Sequence, residues 1–171
     1  MTAAALGSSK PVTRVELKRV GIADFIQADE QLRDCGLLQD LAPEVAATLL
    51  ASALGRRFAD AGLVFQAQDR GQAVFLVLSG EARVTTVRDG TAVQVALARK
   101  GDCFGEDGLA TRQAVRSLTA TAVGSLDVAE FPASAVVAAV ASSRRTRDYL
   151  MGLHERRRAL QEEMTDFLNR W

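Results

Sequence analysis

Histidine is almost absent from this chain and cysteine is scarce. One histidine, His154, and two cysteines, Cys35 and Cys103, stand in 171 residues. The cysteines lie far apart without metal-ligand spacing, so a zinc site of the usual kind is excluded. Free thiols of a cytoplasmic protein are expected in place of a disulfide. No apolar stretch approaches the roughly 20 residues of a membrane span. Met1–Lys10 carries too short an apolar segment for a secretory signal. Net charge is also missing. The 21 basic and 21 acidic side chains cancel, leaving no global field to draw in nucleic acid or an anionic membrane. Nucleophile elbow, phosphate loop, HExxH and Cys–His signatures are all absent. The chain therefore reads as a non-enzyme without a cofactor.

What is present is core-forming material, since 48% of the residues are hydrophobic. That suits one domain with added helices. Residues 1–11, rich in Ala, Gly and Ser and ending at Pro11, read as a disordered tail. Residues 12–36 form a lead-in, helical over 13–34, with Val15, Val20, Ile22, Phe25, Ile26 and Leu32 along one face and a break at Gly21. Pro43 opens a helix expected to run to Phe58, with Val45, Leu49, Leu50 and Leu54 inward. Residues 62–103 then change period. Val74–Leu78 is a buried run, Gly80 marks a bend, and Asp89-Gly90 is a hairpin signal. Gly101-Asp102 is a further turn. Two more alternating strands, 118–123 and 126–131, flank Gly124-Ser125. Several short strands at this spacing indicate a sandwich or barrel. Pro132 begins a helix to about Val140, and residues 143–171 form a long amphipathic helix.

The most informative stretch is GDCFGEDGLATRQAVRSLTATA, residues 101–122. Gly105 lets the backbone come close to a ligand. The amides of Glu106, Asp107 and Gly108 would start a short helical turn and point outward, which suits an anion. Arg116, ten positions after Glu106, offers a two-pronged donor to phosphate oxygens. Ser117 adds a hydroxyl. Ionised Glu106 only accepts, so it fits a sugar hydroxyl and not a phosphate. Together these groups suit a ligand with a single negative charge. Taken alone, Glu106 and Arg116 could equally form a surface salt bridge.

The order Phe65, Asp69, Phe75, Gly80, Gly90, Gly101, Asp102, Phe104, Gly105, Glu106, Leu109, Arg116, Ser117, Ala120 resembles the cyclic nucleotide-binding domain. This is the sensor module of catabolite-activator-type regulators and of cyclic-nucleotide-dependent kinases. The resemblance covers about residues 37–142. It implies a mainly β fold, an eight-stranded jelly-roll β-barrel with N-terminal helices and a long C-terminal helix. It implies that Gly105, Asp107, Gly108, Arg116 and Ser117 hold the cyclic phosphate of cAMP or cGMP, while Glu106 holds the ribose. Val95 and Leu97 would wall the base, with a lid from the last helix. The chain departs from the pattern in two places. Gln68 stands where a glycine usually precedes Asp69. Asp107 follows the key glutamate where an apolar residue is usual; its charge could lower affinity for an anion or simply face water and cap the short helix, and the second is expected. By the same resemblance residues 101–122 are the phosphate-binding cassette; a cyclic dinucleotide would need a second cation, and Arg112 is the candidate on this cassette.

In the last helix Leu150, Leu153, Leu160, Met164, Phe167 and Trp171 fall on steps of three and four, with Arg157 the one polar position in the stripe. This heptad-like seam spans about three repeats. Three uses stay open: a homodimer, packing on its own barrel, or a different protein partner. The basic clusters 144–147 and 156–158 are interleaved with Asp148, Glu155, Glu162, Glu163 and Asp166, and read as a solvated face. No segment reads as a helix-turn-helix, so DNA is not an expected partner. The expectation is a stand-alone cyclic nucleotide receptor signalling through its last helix. The alternative is a scaffold of the same fold whose pocket is empty or takes another anion.

Overall fold

In the computed structural model the described residues are 15–17, 21–110 and 115–168. The expected tail 1–11 lies outside them. The elements run β1 (Val15–Leu17), α1 (Ile22–Ala28), α2 (Glu30–Arg33), α3 (Pro43–Ala51), β2 (Leu54–Phe58), β3 (Leu63–Phe65), β4 (Ala73–Arg88), β5 (Thr91–Ala98), β6 (Cys103–Phe104), α4 (Asp107–Ala110), β7 (Thr119–Pro132), α5 (Ala133–Ser142) and α6 (Arg144–Leu168). No helix among the described residues is long and apolar enough to cross a membrane.

The strands form one antiparallel system with the path β1-β2-β7-β4-β5; β3 pairs with β7 and β6 with β4. Seven strands are described where eight were expected, because two of them are long and bent. In β4, Ala73–Val77 pairs with the second half of β7 and Glu81–Thr85 with its first half; the register shifts between these stretches. The bend falls at Gly80. A Cβ there would lie 2.2 Å from the Ser125 carbonyl oxygen, so only glycine lets β7 approach this closely. The two strands expected around Gly124 are thus one continuous strand. The Asp89-Gly90 hairpin joins β4 to β5, both residues having positive φ, 47° and 78°, as a primed turn requires.

Two expectations are corrected. The lead-in is not one helix: Val15–Leu17 is a strand that pairs with β2. The helix from Pro43 stops at Ala51, and Leu54–Phe58 is a strand on β7. Gly55 is a poor helix residue, and the adjacent charges are matched across the sheet. Arg57 Nε lies 2.7 Å from Asp127 and Arg56 Nε 2.6 Å from Glu130. Pairing with β7 overrides the apolar steps that continue the helix pattern in the sequence.

The apolar run in β4 serves two cores. Val74, Leu76 and Leu78 join Ile26, Leu32, Leu49, Phe131 and Val136 under the helices. Phe75 and Val77 join Phe58, Phe65, Phe104 and Leu126 between the strands. Alternate side chains thus face opposite layers, which is why the run is continuous rather than alternating. The strand therefore links the helical layer to the pocket side of the sheet.

Candidate functional site

The site is built where β6 ends. Phe104 lies opposite Phe75 of β4. The rings of Phe65, Phe75 and Phe104 stack, with centroids 5.2 to 6.0 Å apart. The chain then turns through Gly105, at φ 84°, into the single turn of α4. A Cβ on Gly105 would sit 2.8 Å from Arg116 Nη1, so the backbone closes directly over the guanidinium.

Arg116 is only 2% exposed. Its Nη1 donates to the Gly105 carbonyl and, at 3.3 Å, to Asp107 Oδ1; its Nη2 donates to the Ala73 carbonyl at 2.6 Å. The guanidinium carbon lies 4.1 Å from the Phe65 ring centre, within cation–π range. Among the described residues its Nε is buried without a partner. Burial pulls its pKa down, opposed by Asp107. The main chain of Arg116 is held by the turn that carries Gln68. Gln68 N donates to the Arg116 carbonyl at 2.9 Å, and Arg116 N donates to the Asp69 carbonyl at 2.7 Å. Gln68 takes φ 78°. The departure from glycine therefore keeps a glycine-like backbone and the same turn, at some steric cost.

Asp107 does not face water. It is 3% exposed, and this corrects the expectation of a solvated cap. Its Oδ2 accepts from Ser117 N at 2.8 Å, from Leu118 N at 3.3 Å and from Ser117 Oγ at 3.3 Å. The physical reason is local: Ser117 and Leu118 present two amides and a hydroxyl beside the Arg116 cation, and a buried carboxylate satisfies them all.

Glu106, also 3% exposed, meets the last helix. Arg157 Nη1 donates to Glu106 Oε2 at 2.5 Å, and Arg157 Nη2 donates to the Cys103 carbonyl at 2.8 Å. Burial raises the Glu106 pKa, and Arg157 is the largest opposing influence. Arg157, the polar position of a stripe whose use stood open between a homodimer, its own barrel and another partner, is 7% exposed against its own domain. Leu150 is buried in the helix-side core and Leu153 packs against it. Leu160 is 44% exposed. The side chains of Met164 and Phe167, and Trp171 altogether, lie outside the described residues, as does Arg112. Farther along, Gln161 Nε2 donates to Thr86 Oγ1 at 3.1 Å, and Arg88 Nη2 donates to the Gln161 carbonyl at 3.1 Å. Helix α6 therefore runs from the cassette to the β4–β5 hairpin.

Gly105, Glu106, Asp107, Gly108, Arg116 and Ser117 are brought together as expected. Gly108 approaches Gly71 so closely that an added Cβ would lie 2.7 Å from its Cα. Val95 packs in the core that holds the three phenylalanines, and Leu97 is half-buried. Beside Glu106 a cleft of about 410 Å³ opens between α4, α5 and α6, lined by Leu109, Val140, Leu150, Met151 and His154. The contact between Arg157 and Glu106 went unread in the sequence. Its signal was the lone polar position in an apolar stripe.

Comparison with known proteins agrees with this geometry. The family model described as "Cyclic nucleotide-binding domain" matches residues 55–143, half of the chain. Among solved structures, the regulatory domain of Toxoplasma gondii PKA with cAMP is 24% identical, with TM-score 0.64 over 73% of this chain and 48% of that one. The Thermus thermophilus catabolite activator protein is 28% identical, with TM-score 0.62 over 78% and 63%. The sensor domain of the transcriptional regulator DNR from Pseudomonas aeruginosa is 17% identical, with TM-score 0.63 over 79% and 91%. The chain thus spans about half of the first of these and under two thirds of the second. No curated protein sequence matches it.

Proposed function

The chain belongs to the cyclic nucleotide-binding domain family, and from that premise we propose that it is a receptor for a cyclic nucleotide, cAMP or cGMP, with α6 as its output. Arg116, Ser117 and the amides of Gly105, Asp107 and Gly108 are the cyclic phosphate groups, and Glu106 is the ribose acceptor. Val95 and Leu97 belong to the base wall. The relative from Toxoplasma gondii was crystallised with cAMP, which supports this ligand class. Catalysis has no place in the proposal, and the two buried free thiols fit a cytoplasmic setting.

One observation carries the signalling part. The carboxylate offered to the ribose is the one that holds Arg157 of α6. A ligand hydroxyl and Arg157 would share one carboxylate, of which Arg157 takes Oε2, so each changes the charge and the solvent that the other meets. Ligand binding therefore changes the free energy of docking α6, and such unequal binding to two states is what a switch requires. Leu160, exposed on α6, then belongs to the surface offered to a second copy or to a protein partner. The test is calorimetric titration of the full chain and of Arg116→Ala with cAMP and cGMP. Saturable binding that the substitution abolishes, with the substituted protein still folded by circular dichroism, supports the receptor. The ratio of affinities assigns the base.

A second reading, a scaffold with an unused pocket, is favoured by a different observation: both cassette side chains of opposite charge already have partners within the chain. Under it, neither nucleotide gives a titration signal, and capture experiments on α6 take precedence.

A further inference from the structure

We infer that Asp107 is a built-in competitor for the anion site: its carboxylate occupies the donors that a ligand phosphate must use, and it sets the affinity of the receptor. The inference rests on the receptor reading above and adds to it the residue that decides how well the ligand enters.

The donor set comes first. Arg116 Nη1, Ser117 N, Ser117 Oγ and Leu118 N all converge on Asp107. A cation, two amides and a hydroxyl are what a phosphate group takes. A carboxylate supplies the same negative charge in the same place. Arg116 still has one buried donor, Nε, without an acceptor. The carboxylate therefore fills the site without exhausting it, as a small anion would in a place shaped for a larger one.

Charge comes second. Arg116 is matched by Asp107 and Arg157 by Glu106. The four groups sum to zero inside a water-poor site. A cyclic phosphate monoanion entering beside Asp107 adds an unmatched negative charge, and like charges in contact cost several kcal/mol. Binding thus requires the Asp107 side chain to leave its four donors.

The experiment replaces the carboxylate. Asp107→Ala and Asp107→Asn are titrated with cAMP and cGMP beside the wild-type chain, and thermal unfolding is followed with and without nucleotide. Both variants are expected to bind at least about tenfold more tightly than wild type. Nucleotide should also raise their Tm more than it raises that of wild type, because the phosphate restores what the substitution removed. Adding Arg116→Ala should abolish both effects. If wild type binds and neither variant binds more tightly, the inference fails while the receptor stands. If wild type and folded variants all fail to bind, both fail. If the variants unfold and nucleotide does not refold them, phosphate cannot replace the carboxylate, and the inference fails.

Discussion

Glu106 and Asp107 are chain neighbours of equal burial, yet they are held in opposite ways. The bonds to Asp107 come from Arg116, Ser117 and Leu118, 9 to 11 residues ahead. Glu106 is held by Arg157, 51 residues away on the last helix. The first network forms whenever the cassette loop closes on itself. The second forms only when α6 has docked. One carboxylate is therefore tied within the loop, and its neighbour to the docking of α6. The proposed receptor needs these two contacts to be separable, and adjacent residues with different partners would separate them.

The largest effect is expected from breaking the local pair. Arg116→Ala removes bonds to the Gly105 and Ala73 carbonyls as well as the partner of a buried carboxylate. It should cost about 3–5 kcal/mol, measured by urea unfolding. An equal loss from Arg157→Ala would erase the distinction between the two pairs. That substitution should cost less, about 2 kcal/mol, because Glu106 can take up a proton once its partner is gone.

Titration sharpens the same point. Burial lifts the folded-state pKa of Glu106 above its ordinary value of 4.5, so the folded protein takes up this proton before the unfolded chain does. The stability Glu106 contributes is then fully present below 4.5 and is lost as pH rises through the folded value. Subtracting the unfolding free energy of Glu106→Gln, which cannot titrate, should expose that fall. In Arg157→Ala the window should extend to higher pH, since Arg157 lowers the value. A difference that grows with rising pH would overturn the assignment.

A smaller effect should come from the second tie between α6 and the cassette strand. Cys103 N donates to the Tyr149 hydroxyl at 3.1 Å, and Tyr149→Phe should cost about 1 kcal/mol in the same unfolding assay. The smallest is the baseline. The Arg144–Asp148 pair on the outer face of α6 is 84% and 60% exposed at its two side chains, and Asp148→Ala should change stability by no more than about 0.5 kcal/mol. A comparable loss there and at Arg157 would mean that burial is not what distinguishes the docked pair.

Much of the site was legible because its chemistry is local. Gly105, Glu106 and Arg116 stand out in the sequence by residue type and spacing, and the structure brings Gly105 and Arg116 into contact beside Glu106. The hairpin at Asp89-Gly90 and the bend at Gly80 were legible because they rest on backbone conformations that few residues adopt. Less was legible where a segment has two acceptable local states. Leu54–Phe58 carries on an apolar helical pattern yet contains Gly55, a poor helix residue. Asp127 and Glu130, 70 and 74 residues beyond Arg57 and Arg56, decide for the strand. Asp107 was misread for a related reason. A carboxylate at the start of a short helix has two ways to be satisfied, by water or by the chain, and its sequence neighbours do not say which.

By itself, then, the amino-acid order determined the strand-rich domain, its turns and the identity of the charged and polar groups that gather around Gly105. These follow from periodicity, from backbone freedom and from the chemistry of single side chains, which act over a few residues. Only the tertiary structure decided what those groups hold in this state. The pairing of Asp107 with the Arg116 donors and of Glu106 with Arg157 depends on which charges are removed from water together. That is a property of packing between distant segments, and no local pattern carries it.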